Sequence, residues 1–168
     1  HKPIVLTGPP WSGVVACAAW IANTTGIRFV DLDALVEHRM ETSVPSLASQ
    51  ALEGTFRDVQ LSVLRTELSK KPFGLFATED VGYWPSLRGL SPEPFYSLDV
   101  KLPPGPQFES YLKLKKDKRR AQFGTRPWLQ DAPEELEAFG EWLQTRHNGH
   151  RICQDVLVMD SAEPITMS

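Results

Sequence analysis

Short apolar runs alternate along this chain with stretches of helical period. Pro3-Ile-Val-Leu-Thr7 is apolar, ends at a glycine and predicts a buried first strand. From Gly13 to about Thr24, Ala16, Ala18, Ala19 and Ala22 predict a small-residue helix that packs closely. Ile27-Arg-Phe-Val30 predicts a second strand, with Asp31-Leu-Asp33 at its C-terminal end and Asp33 as the expected cap of a helix over Ala34 to Arg39. A shorter helix is expected over Pro45 to Ala51. Phe56, Val59, Val63 and Leu64 give Thr55 to Leu68 one apolar face. Further strands are expected at Phe73–Ala77, Phe95–Lys101 and Asp155–Met159, and further helices at Gln107–Lys118 and Pro133–Arg146. Strands alternating with helices predict an α/β fold, with a parallel sheet covered on both faces. Ser91–Pro94 and Pro103–Pro106 read as turns beside the fourth strand, so residues 1–168 are read as a single domain.

Composition narrows the function classes. A net charge of −3 gives no global attraction to nucleic acid or an anionic membrane. No apolar run approaches the roughly 18–20 residues that span a bilayer. The chain begins at His1 with nothing resembling a signal peptide, and a removed targeting segment would leave no trace. Cys17 and Cys153 read as buried free thiols, which suits a reducing compartment, an organelle included.

Ligands of such sheets bind beyond the C-terminal strand ends, here Gly8, Asp31 and the region of Thr78. Gly8-Pro-Pro-Trp-Ser12-Gly13-Val14-Val15 has the two glycines of a phosphate-binding loop at the right spacing. In a working loop the next residues are Lys, which reaches the β- and γ-phosphates, and Ser or Thr, which holds Mg²⁺. Val14 and Val15 can do neither. Pro9 and Pro10 also lack the N–H groups that would face an anion. No cofactor is therefore expected, beyond weak ATP or Mg²⁺ binding through the remaining backbone N–H groups at the helix start.

Several features together resemble the shikimate kinases, from about Ile4 to Asp160. Phe29-Val-Asp-Leu-Asp33 looks like the Phe-x-Asp-x-Asp segment of that family. Leu52-Glu-Gly-Thr-Phe-Arg57 looks like its Glu-Gly-Glu-x-x-Phe-Arg segment, with shortened spacing, and Arg126-Pro-Trp-Leu129 resembles the Arg-Pro-Leu-Leu of its lid. The resemblance implies a three-layer P-loop kinase fold, with a five-stranded parallel sheet in the order 2-3-1-4-5 and a lid over about 118–131. It also implies that Asp33 binds substrate hydroxyls, that Arg57 and Arg146 clasp a carboxylate, and that Arg126 faces nucleotide phosphates.

Two further departures from the family accompany the valines. Ala77-Thr-Glu-Asp-Val81 stands where the family has Ala-Thr-Gly-Gly-Gly, so Glu79 and Asp80 bring bulk and negative charge. Gln60 replaces an acidic residue expected three positions after Phe-Arg. The expected function is accordingly a catalytically inactive shikimate-kinase-like protein serving as a structural or interaction subunit of an assembly. One alternative is a non-catalytic sensor of shikimate- or quinate-type acids. The other is a small-molecule kinase with a displaced lysine, Lys2 or Lys118. Tyr83, Trp84, Trp128 and Trp142 are candidate interface anchors if exposed. Lys113–Arg120 reads as a solvated helix face, with nucleic acid the lesser reading. His38, His147 and His150 lack ligand spacing, so no metal centre is expected.

Overall fold

A computed structural model describes residues 2–43, 46, 53–70, 73–79, 95–116, 132–147 and 155–159. The elements are β1 (Ile4–Gly8), α1 (Val14–Thr25), β2 (Phe29–Asp31), α2 (Leu32–Met40), α3 (Glu53–Ser69), β3 (Leu75–Glu79), β4 (Tyr96–Lys101), α4 (Pro104–Lys116), α5 (Leu136–His147) and β5 (Asp155–Val158). The sheet is parallel throughout, in the order β2-β3-β1-β4-β5. This is the order implied by the family resemblance. Apart from residue 46, the expected helix over 45–51 lies outside the described residues, as do the lid over 118–131 and the aromatic residues 83, 84 and 128.

Successive residues of a strand face opposite sides of the sheet, so β1 feeds two cores. Val5 joins Phe76 of β3, Leu32 and Val36 of α2, and Leu61, Leu64 and Leu68 of α3 on one face. Leu6 joins Leu75, Ala77 and Val100 of the sheet, and Val14, Cys17, Ala18 and Ala22 of α1 on the other. The alanines of α1 do what their size predicts and bring its backbone close to the sheet. Burial pushes the Cys17 thiol above its ordinary value, so it stays protonated and unreactive.

Helix α2 starts earlier than expected. Asp31, not Asp33, is its cap: Asp31 Oδ1 accepts from the N–H groups of Asp33 at 2.9 Å and Ala34 at 3.4 Å. Asp31 keeps the extended backbone that a cap residue needs, while Asp33 already sits in the first helical turn. Asp33 is thereby released from the capping role.

Candidate functional site

The loop after β1 is shaped by packing. Gly8 has the carbonyl of Val100 on β4 so close that a Cβ there would meet it at 2.3 Å, with Ser12 Oγ at 2.7 Å and Val14 Cγ2 at 2.9 Å. Gly13 has φ of 77°, in the left-handed region that costs other residues steric energy. Both loop glycines thus have backbone reasons to be glycine that involve no phosphate. Val14 is 0% exposed and belongs to the core beneath α1. Ser12 is also buried, and its Oγ has no hydrogen-bond partner among the described residues. Its N–H donates to the Pro9 carbonyl at 3.2 Å.

Sequence reasoning missed Trp11. It adopts φ of 61°, an unusual conformation for a bulky side chain, yet it is only 7% exposed. Its ring lies 4.7 Å from that of Tyr111 on α4, 5.8 Å from Phe139 and 6.1 Å from Trp142 on α5, centroid to centroid. Gln107 of α4 adds a buried hydrogen bond from Nε2 to the Pro10 carbonyl at 2.6 Å. Residues 10 and 11 are therefore fastened to helices far downstream. Trp142, a candidate interface anchor, is half-buried against this cluster, because a broad apolar ring gains more from aromatic neighbours than from water.

The opposite side of the strand ends is polar. Thr7 of β1 is in register with Thr78 of β3 and with Asp99 of β4, so the three share one sheet face. All three are buried. Lys101 Nζ stands 3.7 Å from Asp99 Oδ2. From α3, Arg57 (4% exposed) and Gln60 (1% exposed) lie one turn apart on the buried side of the helix. Gln60 Nε2 donates to Asp33 Oδ1 at 2.9 Å and reaches Thr78 Oγ1 at 3.5 Å. Asp33 of α2, Gln60 of α3 and Thr78 of β3 are thus joined at the C-terminal end of the sheet.

The other expected site residues fare differently. Arg146 lies in the last turn of α5, with its side chain outside the description. Arg126, Asp80 and Lys118 are outside the described residues, as is the side chain of Glu79. Lys2 is not a displaced loop lysine. It precedes β1, and five residues at about 3.3 Å each carry the strand away from it to the loop. Lys115, within the basic run, pairs with Glu134 and donates to the Tyr111 hydroxyl at 3.3 Å. No cluster of potential metal ligands occurs among the described residues, and no described helix is long and apolar enough to cross a membrane.

Residues 13–79 match the shikimate kinase family model. Through this segment, which is well under half of the chain, the sequence is similar to the shikimate kinases. A shikimate kinase from Chlorobium limicola is 35% identical over 71 residues, which make up 42% of this chain and 36% of the relative. The match thus spans little more than a third of that relative's length. Among solved structures, shikimate kinase from Bacteroides thetaiotaomicron superimposes with a TM-score of 0.73 at 18% identity, covering 98% of this chain and 89% of the other. Shikimate kinase from Acinetobacter baumannii in complex with shikimate gives 0.72 at 18% identity, covering 96% and 86%. At these identities the structural likeness establishes the shikimate kinase fold over nearly the whole chain.

Proposed function

We propose that this domain binds a small hydroxylated carboxylic acid in the cleft of Asp33, Arg57, Gln60 and Thr78, and does not transfer phosphate through the loop at Gly8–Val15. The observation that carries this reading is the contrast in burial chemistry. Gln60 and Thr78 are buried and joined to Asp33, and Arg57 is buried one turn before Gln60 on the same helix; such burial is costly unless the groups are hydrogen-bonded and favours a built site. Guanidinium recognises a carboxylate through paired N–H groups, which suits Arg57 to the acid end of such a ligand. Asp33, an acceptor when ionised, suits its hydroxyls. The relative solved with shikimate lends this ligand class support.

The family's activity implies ATP and Mg²⁺, and the loop residues do not fit them. Position 14 is an apolar side chain in the core, position 15 offers no metal ligand, and Asp31 Oδ1 is engaged in capping α2. Phosphoryl transfer rests on positioning and charge neutralisation by groups of that kind. A structural role in an assembly is a separate property of the surface, tested by co-purification of the native protein: a stoichiometric complex supports it, and a lone monomer argues against it.

Calorimetry with shikimate, with and without Mg-ATP, tests the main reading. Saturable heat with shikimate, lost in Arg57→Met, is expected. Shikimate-dependent ATP consumption abolished by Asp33→Ala would overturn the non-catalytic half. Absence of heat or thermal shift with shikimate and quinate would overturn the binding half.

A further inference from the structure

The apolar cluster around α4 and α5 is a core of its own. Tyr111, Ala132, Phe139 and Leu143 are buried in it, with Phe108, Leu112 and Trp142 packed against them. All of these lie between residues 108 and 143. Trp11, from the loop after β1, is the one described member that comes from elsewhere in the chain. Among the described elements, α4 and α5 pack most extensively on each other, while β4 and β5, which flank them in sequence, pair in the sheet. The Trp11 ring therefore joins two bodies: the sheet with its loop, and a helical pair.

Trp11 reaches that place at a backbone cost. Pro10 and Trp11 are the inner residues of a turn that the Ser12 N–H closes on the Pro9 carbonyl at 3.2 Å. The second inner position holds φ of 61°, which glycine adopts freely and a bulky residue adopts only under constraint. Such strain persists where the surrounding contacts over-determine it. Here the contacts are the rings of Tyr111, Phe139 and Trp142, at 4.7, 5.8 and 6.1 Å. The walls are fixed from within the helical pair. Tyr111 and Phe139 stack at 5.2 Å, and the Tyr111 hydroxyl donates to the Ala132 carbonyl at 2.7 Å. Gln107 adds its bond to the Pro10 carbonyl beside the ring.

We infer that Trp11 is an intramolecular latch: its indole is the tethered occupant of an aromatic pocket on α4 and α5, and it holds that helical pair against the β1–α1 loop without a bound ligand. Releasing the ring frees α4 and α5 as a unit while the sheet stays folded, and it lets the strained turn relax. The pocket is planar and apolar, so with Trp11 truncated it takes a free planar ring, as apolar cavities do. The latch does not depend on the acid-binding reading, since none of its residues belongs to the cleft of Asp33, Arg57, Gln60 and Thr78.

Native-state hydrogen exchange on the whole chain, read by mass spectrometry, tests the latch. In the wild type, the amides of α4 and α5 are expected to exchange together, at least about tenfold faster than those of β1 and β3. Trp11→Gly removes the ring and suits the positive φ, so it isolates the latch from the backbone. It is expected to speed exchange in α4 and α5 by about a hundredfold or more, with β1 and β3 still protected by about a thousandfold or more. Free indole is expected to slow α4 and α5 exchange in Trp11→Gly by about fivefold or more, and to alter the wild type by less than about twofold, because its pocket is filled. Wild-type α4 and α5 that exchange as one unit with the sheet would overturn the inference. So would Trp11→Gly exchange within about threefold of wild type, or indole that fails to protect the variant. If Trp11→Gly does not fold by circular dichroism, Gln107→Met is used instead, which keeps length and volume and cuts only the Pro10 bond. It is expected to speed α4 and α5 exchange by about fivefold, still ahead of the sheet. A change below about twofold in this variant removes the latch.

Discussion

Around Gly8 the groups that fill the space are apolar: Val14 in the core, Trp11 among three rings, and a glycine pressed against the Val100 carbonyl. Around Thr78, at the same end of the same sheet, they are polar: Gln60 and Asp33, with Thr7 and Asp99 on the shared face and Arg57 buried one turn before Gln60 on α3. The first region is packed by apolar contacts, which dispersion and desolvation favour. The second orders donors and acceptors whose burial is hard to explain by packing. The difference teaches that a loop's glycine spacing records backbone geometry, whereas binding chemistry must be sought in the buried polar groups. The family match runs over residues 13–79, which contain Asp33, Arg57, Gln60 and Thr78 and exclude the first part of the loop.

The most severe way to break this contrast is to remove the ring that fastens the loop. Trp11→Ala is expected to cost about 3–5 kcal/mol, the range for a buried large aromatic, read by denaturant unfolding. Trp11→Gly should be less damaging by about 1 kcal/mol, because glycine tolerates the positive φ. Equal losses would show that the backbone carries no strain there. Next in size is Val14→Lys, which restores the loop cation in a core position at the start of a helix. Burial of an ammonium group and its clash with the helix dipole should cost about 2–4 kcal/mol. Coupled ATP assays should detect no shikimate-dependent turnover, and appreciable turnover would dissolve the contrast.

Smaller effects sharpen the polar side. Asp31→Ala should destabilise by about 1 kcal/mol through loss of the α2 cap, and it should also loosen Asp33, which is read as weaker shikimate binding. Glu67, lower on α3, lies beside Lys70 at 2.7 Å and pairs with Arg39. The Lys70 hydrogen bond, then the two cations' charges, hold its carboxyl below the ordinary carboxylate range against an opposing push from burial. A depressed value means that its contribution is complete above the unfolded carboxylate value and is lost as pH falls through the folded one. Glu67→Gln should therefore cost below about 1 kcal/mol at neutral pH, and its gap from wild type should close below about pH 4, measured by melting across pH.

Much of the fold was legible in the residues. The apolar run before Gly8, the alanine-rich period of α1 and the amphipathic face of α3 each specify an element locally, since strand and helix periods are set by the backbone. Boundaries moved by a few residues where caps decided them, as Asp31 did for α2. The candidate site was legible in part. Asp33 and Arg57 stood out through family motifs, while Gln60 looked like a departure from the pattern and Trp11 like a loop residue.

What the sequence by itself determined is the element order, the two glycines, and the absence of lysine and hydroxyl at positions 14 and 15, all of them local facts. Only the tertiary structure decided that Trp11 and Pro10 are held by helices α4 and α5, the Pro10 carbonyl bonding a residue 97 positions away. It alone brought Gln60 to Asp33, 27 positions upstream, and to Thr78, 18 downstream. The physical reason is that periodicity and capping act within a few residues, whereas the burial of a polar group has meaning only once the folded chain shows which atoms surround it.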